Sequence, residues 1–241
     1  MEAVTVSYSQ HLRALFAREL DANIARVLPW LIRRSLATKL HAVYLAQPSA
    51  VLPPGGVVLA ANHHSWWDGY LAWWLVKRLG RKPGVVMDAS QLKRFRFFRH
   101  LGAIGHTELR AALRRLAGGE VMLIYPEGAL RPAGPVSRLR AGAVFVAQHA
   151  QVPVMPLAIR VLMRGAEHPE ALMRLGEPLP LSGDREALTG RLECALNDLL
   201  ADLDVRVTAD PEQPPPGCDT LLSGARSMHH KTSWVERLWT R

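Results

Sequence analysis

His63 and Asp68 are residues whose types and spacing suit proton transfer. On one continuous helix a step of five residues turns through about 500°, which leaves the two side chains roughly 140° apart. They meet only where the chain turns from a strand into a helix. There a carboxylate that binds one imidazole nitrogen leaves the other nitrogen as a general base. The alternative interpretation is that Asp68 caps the helix and His63 is an ordinary polar loop residue.

The group that this base would activate is a substrate hydroxyl rather than a protein nucleophile. The sequence has no GxSxG elbow, and neither Cys194 nor Cys218 has a neighbouring histidine. A covalent serine or cysteine intermediate therefore has no candidate. Ser65 is better explained as a residue that shapes the loop after His63. The two cysteines also form no metal or redox motif. Deprotonation of a substrate hydroxyl by a histidine needs neither a metal nor an organic cofactor, so we predict none.

A second polar cluster directly follows the apolar run at residues 121–124. It reads Tyr-Pro-Glu-Gly-Ala-Leu-Arg over residues 125–131. Open α/β sheets bind ligands at the carboxyl ends of their strands, and an arginine beside backbone N–H groups suits a phosphate or an oxyanion. The alternative is a solvated loop. Because both clusters follow predicted strands, a parallel sheet would place them at the same edge.

Strand-like and helix-like patterns alternate through the body of the chain. Strands are predicted at GVVLAAN, PGVVMDA, EVMLIYPEG and VPVMPLAIRVL, and amphipathic helices are predicted between them. This order predicts an α/β fold with a mostly parallel central sheet flanked by helices. We assign residues 51–205 to this catalytic domain.

The two ends of the chain differ from this body in composition. Residues 1–50 are predicted to form an N-terminal amphipathic helical arm, which either packs on the core or lies in a membrane interface. Residues 206–241 are interpreted as a Pro-rich linker and a basic tail that carries Trp234 and Trp239. The tail is either an interfacial anchor or a disordered end.

The charge balance restricts the partners that suit this protein. Lysine and arginine number 30 against 21 aspartate and glutamate residues, which gives a formal charge of +9. Such a field attracts an anionic membrane surface, an anionic substrate or an acidic carrier protein. Nucleic acid is a poor candidate, because the arginines are spread along the chain and no recognition motif is present.

Length and hydropathy indicate one globular core and no membrane span. The 241 residues are 49% hydrophobic, which excludes a disordered chain. A spanning helix takes about 20 largely apolar residues, and every window of that length contains charged side chains. The first residues lack the features of a secretory signal. We therefore expect a cytoplasmic protein that lies peripherally on the inner face of the membrane.

Three blocks of the sequence resemble the glycerolipid acyltransferases related to 1-acylglycerol-3-phosphate acyltransferase. Residues 62–68, Asn-His-His-Ser-Trp-Trp-Asp, resemble the NHxxxxD block of that family. Residues 126–131, Pro-Glu-Gly-Ala-Leu-Arg, resemble the PEGxxR block, and residues 152–157 resemble the VPVxPv strand. The blocks occur in the order of the family, and the likeness covers roughly residues 50 to 205.

The resemblance implies transfer of a fatty acyl group in phospholipid biosynthesis. The donor is acyl-CoA or acyl-carrier protein, and the acceptor is a hydroxyl lipid such as lysophosphatidic acid. By the resemblance His63 is the base and Asp68 orients it. The residues that would bind the acceptor are Asn62, Glu127, Gly128 and Arg131. Trp66 and Trp67 are candidates to line an acyl channel or to face the membrane, and core packing is the alternative.

Residues 101–108 depart from the second block of the family, GxxFxxR, because they contain neither the aromatic residue nor the arginine. The acceptor is then either a phosphorylated lipid held by another cation, such as Arg99 or Arg110, or a different hydroxyl lipid. Two rival functions remain: a non-catalytic protein that binds lipid or acyl carrier, and a thioester hydrolase in which the base activates water.

Overall fold

The computed structural model describes residues 23, 26–46 and 51–227. A single sheet of eight strands forms its centre. The strands are β1 (Ala42–Ala46), β2 (Val57–Ala61), β3 (Pro83–Met87), β4 (Ala103–Gly105), β5 (Val121–Ile124), β6 (Val154–Leu162), β7 (Glu170–Leu175) and β8 (Cys218–Ser223). Their order across the sheet is β4-β3-β5-β2-β6-β7-β1-β8.

Helices connect these strands and cover the sheet. Residues 26–39 are helical and are labelled α1. The others are α2 (Asp68–Arg78), α3 (Ala89–Arg94), a 3-10 helix (Arg96–Leu101), α4 (Leu109–Ala117), α5 (Gly142–Ala150) and α6 (Arg185–Val207).

The prediction of a mostly parallel sheet is confirmed. Strands β4, β3, β5, β2 and β6 run parallel to one another, and β1 pairs in parallel with β7. The pairs β6 with β7 and β1 with β8 are antiparallel. The central strands are buried, apolar and flanked by helices on both sides, as parallel sheets require.

Two hydrophobic clusters lie on the two faces of the sheet. One cluster packs α1 and α2 against the sheet and includes Leu36, Leu71 and Leu75. The other packs α4, α5 and α6 on the opposite face. The apolar stripe of α6 is buried there, and its residues are Leu188, Leu192, Leu196, Leu199 and Leu203.

Strands β1 and β8 correct the predicted organisation of the chain ends. Residues 42–46 were expected within a helical arm at 1–50, but they form a strand buried between β7 and β8. Their continuous apolar sequence has no period, so it suits a doubly buried strand as well as a buried helix. Residues 218–223 were expected in a tail, but they form the edge strand β8. Residues 1–22, Trp234 and Trp239 lie outside the described residues.

Residues 89–101 form two short helices and not one continuous helix. Helix α3 ends at Arg94, because the φ of −117° and ψ of 64° at Phe95 are not helical, and a 3-10 helix follows. Gly102 ends that helix with a φ of +86°. In the part of the chain that the structure describes, no helix is long and apolar enough to cross a bilayer.

Candidate active site

The two polar clusters meet at the carboxyl edge of the sheet. Strands β2 and β5 are parallel neighbours, with Ala60 beside Ile124. Residues 62–68 leave the end of β2, and residues 125–131 leave the end of β5. The structure therefore brings together, across two adjacent strand ends, segments that lie about sixty residues apart in the sequence.

His63 and Asp68 are in direct contact. Nδ1 of His63 lies 3.1 Å from Oδ2 of Asp68. The same oxygen accepts hydrogen bonds of 2.8 Å from the backbone N–H groups of His64 and Ser65. Asp68 is fully buried in the first turn of α2, so its carboxylate is held in place by the loop that it closes. A carboxylate at Nδ1 leaves Nε2 of His63 as the basic nitrogen.

The peptide groups around His63 are held by the second cluster. The carboxylate of Glu127 accepts a hydrogen bond of 2.7 Å from the N–H of His63. The N–H of Arg131 donates to the carbonyl of His63 at 2.8 Å. Residues 125–131 therefore fix the backbone of the base from both sides. The two clusters were predicted to share one edge of the sheet, but no local pattern predicts this particular contact, because Glu127 lies 64 positions from His63.

The side chain of Asn62 was predicted to bind the acceptor, but in the structure it binds the backbone of β6. It is 2% exposed, and its amide oxygen accepts a 2.8 Å hydrogen bond from the N–H of Ile159. Its amide nitrogen donates to the carbonyl of Ile159 at 3.0 Å. The side chain thus pairs with the backbone of β6 as a neighbouring strand would, and it fixes the end of β2.

The side chain of His64 also binds the loop after β2 to the backbone of β6. Its Nε2 accepts a hydrogen bond of 3.1 Å from the N–H of Val161, so this nitrogen carries no proton. Burial lowers the pKa of His64, and the positive charge of Arg160 acts in the same direction, while Asp68 opposes them. The neutral imidazole is therefore the form that the fold stabilises.

His64 is expected to make the protein less stable at acidic pH. Because its pKa is lower in the folded state, the unfolded chain takes up the proton first, and stability is lost as pH falls below the ordinary histidine pKa. The urea midpoint should fall between pH 8 and pH 5, and His64→Gln should fall less over that interval. An equal fall in both proteins would contradict this role.

Tyr125 is a site residue that the sequence analysis did not single out. Its ring lies 4.6 Å from the imidazole of His63, with an angle of 36° between the planes. Its hydroxyl is buried, and neither this hydroxyl nor Oδ1 of Asp68 has a hydrogen-bond partner among the described residues. Burial and the negative charge of Asp68 raise the pKa of Tyr125 well above its usual range. Tyr125 thus supplies an uncharged wall against one side of the base.

Gly128 and two arginines border the site on the side of β5. Gly128 has a φ of +69°, which favours glycine, and the guanidinium carbon of Arg140 lies 2.7 Å from the position that a Cβ would take. Arg131 is exposed, and its charge acts on Glu127. Burial raises the pKa of Glu127, against the opposing effects of the His63 N–H and the charge of Arg131. Within the described residues, the guanidinium groups of Arg131 and Arg140 form no ion pair.

The remaining predicted residues are distributed as follows. Trp66 is 69% exposed, so it does not line an enclosed channel, whereas Trp67 packs partly buried against the core. The hydroxyl of Ser65 accepts a hydrogen bond from the N–H of Trp67 and shapes the turn.

The two arginines that were predicted as alternative phosphate ligands lie elsewhere. The guanidinium of Arg99 donates hydrogen bonds of 2.8 Å and 3.3 Å to the carboxylate of Glu108. Arg110 is exposed on α4. No cluster of three potential metal ligands occurs in the ranges that the structure covers.

Comparison with known proteins gives one family and one informative structure. Residues 43–160 match the acyltransferase family. The crystal structure of the 1-acyl-sn-glycerophosphate (LPA) acyltransferase PlsC from Thermotoga maritima is similar in fold, with a TM-score of 0.59 and 18% sequence identity over 79% of this chain and 83% of that chain. No curated protein matches the sequence.

A second solved structure is much less similar. The pilus retraction motor PilT with bound ADP has a TM-score of 0.30 and 10% identity, over 72% of this chain and 66% of that chain. This likeness supports no argument about fold or function.

Proposed function

The chain carries a domain of the acyltransferase family at residues 43–160, and from this premise we propose how it acts and on what. The protein is an O-acyltransferase of the glycerolipid type. It transfers a fatty acyl group from acyl-CoA or acyl-carrier protein to the hydroxyl of a lysophospholipid. The contact between Nδ1 of His63 and Oδ2 of Asp68 is the observation that carries this proposal.

The imidazole of His63 is suited to remove a proton from an alcohol. Its Nδ1 is held by Asp68, and its Nε2 has no hydrogen-bond partner among the described residues. The side chain is 28% exposed, so a substrate hydroxyl has access to it. The buried carboxylate stabilises the imidazolium that forms when the proton is taken up.

The reaction then follows in two steps. Nε2 of His63 takes the hydroxyl proton as the oxygen forms a bond to the thioester carbonyl carbon, which gives a tetrahedral intermediate. The carbon–sulfur bond then breaks, and the thiolate leaves with the proton from His63. The products are the ester and a free thiol, and the histidine returns to its neutral form. No cofactor takes part in this scheme.

The acceptor is proposed to carry a phosphate. The resemblance assigns Arg131 to acceptor binding, and Arg140 lies against Gly128 of the same loop. Arg99, which the sequence offered as a substitute, has its charge compensated by Glu108. We therefore favour Arg131 and Arg140 as the cations that take the place of the missing arginine in the second block. An arginine with no carboxylate partner keeps its donors for a phosphate oxygen.

Arg131→Ala is expected to raise the KM for a phosphorylated acceptor by about 10- to 100-fold, because one hydrogen bond to a charged group contributes about 1.5–3 kcal/mol. The KM for the acyl donor should change by less than about threefold. Steady-state kinetics with each substrate varied in turn measures both. Arg78→Ala, at the far end of α2, is the matched control. An equal rise in both KM values would contradict the assignment.

The proposed activity is tested by product identification. Purified protein is incubated with labelled acyl-CoA or acyl-carrier protein and with lysophosphatidic acid, glycerol 3-phosphate or a monoacylglycerol. Labelled phosphatidic acid is the expected product. Labelled free fatty acid in every reaction would identify a thioester hydrolase instead. Binding of the donor without its consumption would identify a non-catalytic binding protein.

The acceptor and the product of this reaction reside in a bilayer. We accordingly propose that the protein works peripherally on the inner, cytoplasmic face of an anionic membrane. The formal charge of +9 supports this location, since anionic lipids attract basic proteins.

A further inference from the structure

A strip of aromatic side chains runs along the surface from the loop that carries the base. This aromatic strip consists of Trp66, Tyr70, Phe95, Phe97 and Phe98. The ring centroids are 6.2 Å apart between Trp66 and Tyr70, 6.3 Å between Tyr70 and Phe98, and 4.4 Å between Phe98 and Phe97. Phe95 meets Phe97 and Phe98 edge to face, at 6.2 Å each. The strip therefore connects the catalytic loop, α2 and the 3-10 helix.

The outer members of the strip face solvent. Trp66 is 69% exposed and Phe97 is 38% exposed, while Tyr70 and Phe98 are partly buried against the core. The inner rings are thus anchored by packing, and the outer rings project from them. Large exposed aromatic side chains next to one another are unusual on a protein surface that contacts only water.

Positive charge borders the strip and is only partly balanced by acidic residues. Residues 89–107 contain no aspartate or glutamate, and they include Lys93, Arg94, Arg96 and Arg99. The guanidinium of Arg94 lies over the ring of Phe95 at 5.1 Å. Arg99 is compensated by Glu108 from outside this segment, and the other three cations are exposed.

Exposed cations also occur on the opposite face of the sheet, so positive charge alone does not distinguish the surface around the strip. Helix α4 also carries exposed cations, namely Arg110 and Arg114. Among the described residues of α4, α5 and α6, however, Val205 is the only large apolar side chain that is highly exposed. Aromatic side chains and cations are combined on the face of α2 and the 3-10 helix, where the catalytic loop lies.

We infer that the aromatic strip, with Lys93, Arg94 and Arg96, is the surface by which the protein contacts an anionic lipid bilayer. Tryptophan and other aromatic rings settle at the level of the lipid headgroups, and neighbouring cations bind anionic lipids there. An acidic protein partner would account for the positive charge. It would not account for exposed aromatic rings that extend to the catalytic loop. This inference rests on the proposed function. Contact through the strip would bring the loop of His63 to the bilayer, from which a lipid acceptor must come.

The test is vesicle binding, which requires no turnover. The full chain is sedimented with vesicles of mixed phosphatidylglycerol and phosphatidylcholine, and with vesicles of phosphatidylcholine alone. The triple variant Phe97→Ser, Arg94→Gln, Arg96→Gln should bind the anionic vesicles at least roughly tenfold more weakly than the parent protein. The matched control is Val205→Ser, Arg110→Gln, Arg114→Gln, which removes an apolar side chain and two charges from the opposite face. It should bind within about threefold of the parent.

A fluorescence measurement keeps the test decisive if the triple variant does not fold. Anionic vesicles should shift the tryptophan emission of the parent to shorter wavelength, and Trp66→Phe should reduce that shift. Equal weakening by both triple variants, an unchanged shift in Trp66→Phe, or no binding of the parent would each overturn the inference. Strip-dependent binding by a protein that transfers no acyl group would instead refute only the proposed function.

Discussion

His63→Ala is expected to reduce acyl transfer by about 10²- to 10⁴-fold, which is the usual contribution of a general base. Among the described residues, His63 is the histidine that binds Asp68 through one ring nitrogen and leaves the other nitrogen for substrate, since Nε2 of His64 is occupied by the N–H of Val161. The fold should survive the substitution. The backbone bonds from His63 to Glu127 and Arg131 do not involve its side chain, and Asp68 keeps the N–H donors of His64 and Ser65.

The measurement is the initial rate of ester formation from labelled donor, at saturating concentrations of both substrates. His149→Ala, an exposed histidine on α5, serves as the control and should retain wild-type activity. Equal far-ultraviolet circular dichroism and urea midpoints would show that the variant is folded. Retention of more than about a tenth of the wild-type rate by the folded variant would be incompatible with His63 as the general base.

The elements with strong patterns could be predicted from the sequence. Strand β2 is a short apolar run between a glycine pair and a polar loop, and α6 repeats leucine at helical spacing, so each has one reasonable interpretation. Strand β1 could not be assigned in this way. Its five apolar residues continue an apolar pattern that begins in α1, and only the pairing with β7 and β8 makes it a strand.

The contacts of the site that lie within one turn could be predicted from the sequence. The contacts between residues far apart in the sequence could not. His63 and Asp68 lie in one turn, and their spacing alone limits how they meet. The role of Asn62 depends on the backbone of Ile159, 97 positions away. The ring of Tyr125 reaches the imidazole only because β2 and β5 are neighbours in the sheet.

The roles of the second block follow the same reasoning. From the sequence Glu127 was expected to bind the acceptor, whereas its carboxylate accepts the N–H of His63. A loop carboxylate that follows a strand suits either role, and the sequence contains nothing that distinguishes them. In this chain the contact holds the two blocks together, since Glu127 of one block positions the backbone of the other.

Asp68→Asn is expected to lower the rate by about 10²-fold, the scale of one preorganised electrostatic contact. The substitution isolates the charge of the carboxylate from its geometry. The amide oxygen can keep the position of Oδ2, which accepts from Nδ1 of His63 and from two backbone N–H groups. The imidazole tautomer is then retained, but the imidazolium formed during the reaction loses its counter-charge. The loss should therefore be smaller than in His63→Ala.

The free energy of unfolding of Asp68→Asn, measured beside its rate, distinguishes an electrostatic role of the Asp68 carboxylate from a purely structural one. The three hydrogen bonds to Oδ2 would then be made to a neutral amide oxygen and not to a carboxylate, so the free energy of unfolding should fall by about 1–3 kcal/mol. Asp88→Asn, at the exposed N-terminal cap of α3, is the matched carboxylate-to-amide control and should change the rate by less than about twofold. A folded Asp68→Asn protein with a rate within threefold of wild type would mean that the charge of Asp68 does not assist His63. In that case the carboxylate serves to close the loop, through its hydrogen bonds to His64 and Ser65.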